Sequence, residues 1–262
     1  VRRYGILLLV QLRASLVFAA QYRADFLVDG AIEILWSATA LAPLLVAFQG
    51  RAAIAGWSFG EALTVLGFFT LLAAVLEGVV NPSLVAVIQH VRKGTLDFVL
   101  LKPIDAQFLV STARIYPWRA INAVTAAVIF ALAFRALGRA PTLADCALAG
   151  VFFAAAVTAL YSLWLLVVSA AFYAVKIDNA ADLLNAVFDA ARWPSSVFRG
   201  AARFVVTFVV PLALMTTVPA RALLGHLDAA SAAAAIAGTV ALAGLSRWAW
   251  TRALAHYTSA SS

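Results

Sequence analysis

Thirty consecutive residues, Cys146 to Val175, carry no charged side chain. The hydrocarbon core of a bilayer is about 30 Å thick, and about 20 apolar residues cross it as a helix. A run of this length can span a membrane while tilted. The rest of the chain has too little polar surface to wrap such a helix in water: it is 65% hydrophobic and 12% charged, where a soluble globular domain has about 25% charged residues. The surplus apolar surface must face lipid. Lipid offers no partner for backbone N–H and C=O groups, so the spanning segments must be helical or shielded by protein. The fold class is therefore all-α and polytopic.

The same criterion predicts spans over about 26–48, 59–80, 118–137 and 229–249 besides the charge-free run. Ser58 and Glu61 form the pattern of a capping box at the start of the second. The last is rich in alanine and ends in Arg247, Trp248 and Trp250, the composition of an interfacial anchor. Residues 1–23 mix apolar residues with Arg2, Arg3, Arg13 and Arg23, which predicts a helix along the interface with its arginines reaching towards head groups. Arg13, Arg23 and Asp25 break the apolar core that a cleavable signal peptide needs, so the chain is expected to enter the membrane through its own first helix. The interval 176–228 has two readings. Hydropathy selects 204–217, a short stretch interrupted by Pro211, which suits a re-entrant segment. The alternative span, about 179–197, contains Asp182, Asp189 and Arg192; it requires them to face protein, with Arg192 in reach of Asp189 three residues earlier. Either way the count is six.

The net charge is +7, and the Lys and Arg residues flank apolar spans instead of forming a basic stripe with exposed aromatics, so membrane orientation explains them and nucleic acid does not. With the N-terminus inside, 15 of them fall on the cytoplasmic side and 4 outside if 204–217 spans, or 12 and 6 if 179–197 does. Both put the two termini in the cytoplasm. The single cysteine, Cys146, cannot form an internal disulfide and reads as a small buried hydrophobe. No Cys or His spacing suggests a metal site, and no serine motif or histidine pair offers a nucleophile with a base. The carboxylates Asp29, Glu33, Glu77, Asp182 and Asp189, with Arg192, are candidates to line a path or carry protons, although charges within a membrane are normally paired.

The longest charged connection, 81–117, reads as a separate element. Asn81 can cap a helix and Pro82 suits its first position. Leu84, Val87, Ile88 and Val91 make one apolar stripe; Arg92 and Lys93 suit the C-terminus and Gly94 its left-handed cap. Such a helix can lie on the membrane or dock into a groove on a soluble partner.

The stretch Val91-Arg92-Lys93-Gly94-Thr95-Leu96-Asp97-Phe98-Val99-Leu100-Leu101-Lys102-Pro103-Ile104-Asp105, followed by Gln107, Phe108 and Arg114, resembles the signature loop of the ATP-binding cassette (ABC) type-2 permeases. It is closest to the bacterial branch that often pairs two permeases with one ATPase. Gln21 to Phe26, Trp193 to Phe198 with Pro211 and Pro219 to Gly225, and Arg252 to Ser259 are similar to that branch's first-span approach, its proline-punctuated segment and its C-terminal end. The resemblance implies one permease domain over 1–262 in the bacterial inner membrane, with an interfacial helix over 1–23 and re-entrant outer helices over 199–222, leaving 179–197 as the fifth span. It implies a coupling loop in which Leu84, Val87, Ile88, Val91, Arg92, Lys93, Gly94, Thr95, Leu96, Asp97, Lys102 and Pro103 engage ABC ATPase subunits. A second permease subunit, identical or different, and membrane lipids are the other implied partners. The family is mostly exporters, which suits an amphipathic, lipid-like or drug-like substrate. No G-x-x-x-x-G-K-[ST] phosphate loop occurs, so ATP and Mg would sit on the partner ATPase and hydrolysis would occur there. The competing expectation is an ion-coupled transporter or a polytopic membrane enzyme working without an ATPase.

Overall fold

The computed structural model describes residues 2–21, 23–173, 185–200 and 211–257, without the side chains of 18–27, 29 and 33 among others. In chain order the elements are α1 (Arg2–Gln21), α2 (Arg23–Phe48), a hairpin of β1 (Ala53–Ile54) and β2 (Trp57–Ser58), and α3 (Phe59–Val75). A π-helical turn (Leu76–Val80) then leads into α4 (Asn81–Arg92). The short α5 (Asp97–Leu100) and α6 (Ala106–Ser111) follow, then α7 (Ile121–Leu137) and α8 (Leu143–Ala170). After 185–200 come a second π-helical turn (Ala213–Thr217), α9 (Val218–Leu223) and α10 (Ala229–His256). Among the described residues, four helical segments are long and apolar enough to cross a membrane: Phe59–Arg92, Pro117–Leu137, Leu143–Ala170 and Ala229–His256.

The bundle has two distinct ends. At the far end Ser58 and Glu61 cap α3 reciprocally, and Thr142 and Asp145 do the same for α8, each satisfying helix-end N–H groups that would otherwise lack partners. Arg139 donates to the Leu224 carbonyl there, and Trp57 Nε1 donates to Ser196 Oγ at 3.0 Å. At the other, loop end, Tyr4 of α1 meets Phe108 of α6 edge-on at 4.8 Å, and Tyr173 lies 5.6 Å from His256. Both described ends of the chain are therefore at the loop end. Because α8 finishes at the loop end and Ser196 lies at the far end, the chain changes ends between Tyr173 and Ser196. The described part of that interval sits at mid-height: Phe188 stacks on Phe69 at 5.1 Å and meets Trp164 edge-on.

The α3–α4 helix is the axis of the fold. Two-thirds of its most apolar window is buried (67%), against 17% for α10; α10 and α7 carry apolar surface outward, as at Val240 and Val124. Its closest neighbour is α7, admitted by two glycines. A Cβ on Gly60 would stand 2.7 Å from Leu137 Cγ, and one on Gly67 would stand 2.6 Å from Phe130 Cε1. Water gives no drive between helices inside lipid, so close backbone approach through small residues supplies the packing energy. Polar side chains within the spans mostly return to their own helix, as Thr64 does to the Gly60 carbonyl and Ser169 to Leu165.

Two expectations are corrected. Cys146 is exposed on the first turn of α8, because the buried face of α8 runs instead through Ala149, Phe152, Ala156 and Leu160. Asn81 does not cap a new helix. It is helical itself (φ −62°, ψ −49°), and the helix continues from Phe59 to Arg92. Pro82 has no N–H and its ring clashes with the carbonyl four residues back. The chain absorbs this with a π turn, in which the Asn81 N–H reaches the Leu76 carbonyl. The Gly78 carbonyl, displaced by Pro82, accepts instead from the Tyr116 N–H at 2.7 Å. Pro219 repeats the device: a π turn precedes it and the Val218 N–H reaches Ala213.

Gly67→Val is expected to destabilise the protein by about 1–3 kcal/mol through overpacking against Phe130, read as a lowered thermal midpoint in detergent, with Gly150→Ala, which meets nothing within 4 Å, as the neutral control.

Candidate functional site

The loop end is built from the α4 terminus outward. Gly94 takes φ +64°, a left-handed conformation that costs glycine little, and the Thr95 N–H returns to the His90 carbonyl at 2.9 Å. His90 Nδ1 and Thr95 Oγ1 lie 2.8 Å apart. This closure turns the chain back so that Leu96 is fully buried. Asp105 then caps α6 by accepting from the Phe108 N–H. Its carboxylate is also held by Arg247 of α10 at 2.8 Å. The hydrogen bond from Arg247 holds the Asp105 carboxyl below the ordinary carboxylate range, against an opposing push from partial burial. Arg247 also donates to Gln107 Oε1, and the Gln107 amide donates to the Tyr161 hydroxyl of α8 at 2.9 Å. Ser111 Oγ lies 2.7 Å from the same hydroxyl. One polar network thus ties the loop to α8 and α10.

Beside it a cleft of about 1180 Å³ opens between α2, α3–α4, the Tyr116–Asn122 segment and the 185–192 segment. Its lining on the axial helix runs from Phe69 to Gln89, a rise of about 30 Å at 1.5 Å per residue. Two ion pairs face it: Glu77 with Arg119 at 2.6 Å, and Asp189 with Arg192 at 2.9 Å. Arg192 also lies over the Phe69 ring, 5.4 Å from its centre. Asn81, released from capping, accepts from Trp164 Nε1 at 3.3 Å. Asn122 is 2% exposed, and its Oδ1 has no hydrogen-bond partner among the described residues.

The candidate coupling residues divide sharply. Leu84, Val87 and Ile88 are buried in the chain's own core and Val91 packs against it, so the apolar stripe of α4 offers nothing to a partner or to a membrane. Arg92, Lys93, Lys102 and Pro103 are exposed. Gly94, Thr95 and Asp97 are half-buried, and Leu96 is a core residue. The apolar side chains that do project are Phe98 (70% exposed) and Leu101 (80% exposed), both within the quoted motif but off the helical stripe. Among the path candidates, Glu77, Asp189 and Arg192 meet in the cleft; the expectations for Asp29, Glu33 and Asp182 lie outside the described side chains. Sequence reasoning missed Arg119, Asn122, Tyr161 and Arg247 as site residues. Arg119, Tyr161 and Arg247 each act through a partner at least 42 positions away, which no local pattern signals. Among the described residues no group of three His, Cys, Asp or Glu side chains could hold a metal ion.

Long apolar helices, a mid-height cleft carrying ion pairs and a braced loop at one end are the parts of a membrane transporter subunit. The sequence profile described as "ABC-2 family transporter protein" matches residues 34–261, and the chain belongs to that family. No curated protein and no solved structure matches it significantly.

The Asp105–Arg247 link fixes an expected pH response. A depressed carboxyl contributes stability above its ordinary pKa and loses it as pH falls through the lowered value. Hydrogen-exchange protection of 106–111 should therefore persist below pH 3.8, the ordinary value. Arg247→Ala should move its loss up to about that pH.

Proposed function

We propose that this chain is the permease subunit of an ATP-driven ABC exporter in the bacterial inner membrane. The exposed Phe98–Leu101 pair carries the proposal: two large apolar side chains project from a loop that the Asp105 and Gln107 side chains brace to α10 and α8. Its basic neighbours Lys93 and Lys102 are exposed as well. Buried apolar anchors ringed by polar side chains are the usual core of a protein interface, and ABC ATPase subunits are the partner the family supplies. The coupling surface comprises Arg92, Lys93, Phe98, Leu101, Lys102 and Pro103, with Gly94, Thr95, Leu96 and Asp97 shaping it from behind. ATP and Mg bind on the ATPase. The excess of Lys and Arg at the loop end supports a cytoplasmic position for that end and for both termini.

In this mechanism, ATP-driven closure of the ATPase pair displaces the loop. The α3–α4 helix has 34 residues without a break, about 51 Å of lever. The Arg247–Asp105 link pulls α10 with it. The cleft between the moving helices alternately opens to the two sides, and the substrate is amphipathic because the cleft is. A second permease copy or a different permease completes the path. Interfacial α1 and the segment over 199–222 complete the single domain.

Co-purification with the ATPase subunit, followed by ATPase assay in nanodiscs, tests the reading. Phe98→Ala with Leu101→Ala is expected to weaken ATPase association at least about tenfold, while thermal stability stays unchanged because both side chains are exposed. A stable, active transporter with no ATPase subunit attached would falsify it.

A further inference from the structure

The cleft has a charge surplus in one place. Glu77 is matched by Arg119 and Asp189 by Arg192. Arg114, at the loop-end rim, has no carboxylate partner among the described residues. Its backbone, by contrast, is pinned twice by one buried serine. Ser83 Oγ donates to the Arg114 carbonyl at 2.8 Å and accepts from its N–H at 3.1 Å. Two residues on, Tyr116 is fixed by its bond to Gly78, and its ring stacks on Trp118 at 4.5 Å. The rim thus holds a guanidinium on an anchored backbone, beside aromatic walls, with no counter-charge among the described residues. A guanidinium so placed is built for planar, bidentate capture of a phosphate or carboxylate.

Shape limits the rest of the ligand. The cleft extends about 30 Å along the axial helix, continuing from the rim past Val85 and Leu76 to Phe69 and Phe188. A compact anion would leave most of that length empty, including the apolar side chains Ile32, Phe69, Ala73, Leu76, Val85 and Phe188 that stand among its two ion pairs. The geometry points to an anionic amphiphile as the occupant, its phosphate or carboxylate head on Arg114 and its apolar chain running along α3 towards Phe69. This rests on reading the cleft as the permease's path, and it adds the sign of the head group and the residue that reads it.

The test is photolabelling of the purified full-length chain in phosphatidylcholine nanodiscs. One probe is hexadecyl phosphate with a diazirine in mid-chain; the other is the same chain bearing a trimethylammonium head. Peptide mapping should place the phosphate probe's label on the cleft wall between Phe69 and Val85, well above that of the cationic probe. Arg114→Ala should reduce that label about tenfold, the loss of one charge-assisted hydrogen-bonding group. Arg114→Lys should retain part of it, and Arg114→Glu should turn the preference towards the cationic head. Arg135→Ala, at the far end of α7, should leave it unchanged. Equal labelling by both heads, insensitivity to Arg114→Ala, or displacement by millimolar inorganic phosphate alone would overturn the assignment. Labelling needs no ATPase, so a chain that binds the anionic probe but never couples to ATP hydrolysis would sink the transport reading and leave this site standing.

Discussion

A proline inside a membrane-spanning helix strands a carbonyl, and the loop end of this protein is organised by where that carbonyl finds a donor. Pro82 cannot bond to Gly78. Lipid supplies no substitute, and an unsatisfied backbone group there costs several kcal/mol. The Tyr116 N–H fills the vacancy, and the absence of a side chain at Gly78 lets that segment approach: a Cβ there would lie 3.3 Å from Arg119. One turn on, Ser83 holds Arg114 by both backbone groups. The irregular segment between α6 and α7 is thereby fastened to the axial helix where Pro82 leaves hydrogen-bonding capacity to spare. Arg119 is carried into contact with Glu77, and the rim of the cleft is formed.

Packing around that helix divides the molecule into a stiff centre and an adaptable edge. Gly60 and Gly67 bring α7 within backbone distance of α3, and Phe68 sits edge-on to Phe130 at 5.0 Å. The cleft side differs: apart from the backbone bonds that fasten Arg114 and Tyr116, its contacts are ion pairs and aromatic stacks between side chains. Close-packed interfaces move as units and not by gradual deformation. The polar network from Asp105 through Arg247 and Gln107 to Tyr161 gives the loop a second attachment, to α10 and α8. A push on the loop therefore reaches two helices, α8 and α10, that stand outside the cleft wall.

Much of the local structure was legible because its causes are local. The Ser58–Glu61 box, the left-handed Gly94 and the Asp189–Arg192 pair each depend on residues within four positions. Reading α4 as a free amphipathic helix failed for an equally physical reason. An apolar stripe specifies that something apolar covers it, not what does; here the cover is the chain's own core, around Leu160, Trp164 and Val110. Asn81 has the chemistry of a cap, but a π turn upstream kept the helix running and sent its side chain to Trp164.

Hydropathy and charge by themselves determined that this chain is a helical membrane protein, roughly where its helices run and which end gathers the positive charge, because lipid penalises every exposed backbone group and every unpaired charge wherever they stand in the fold. The motif from Val91 to Asp105 determined the family. Tertiary structure alone decided which residues of that motif face outward, which arginine answers which carboxylate, and that Arg114 answers none among the described residues. Those outcomes depend on pairs such as Glu77 with Arg119 and Gln107 with Tyr161, which are distant in sequence and adjacent only once α3, α7 and α8 have packed.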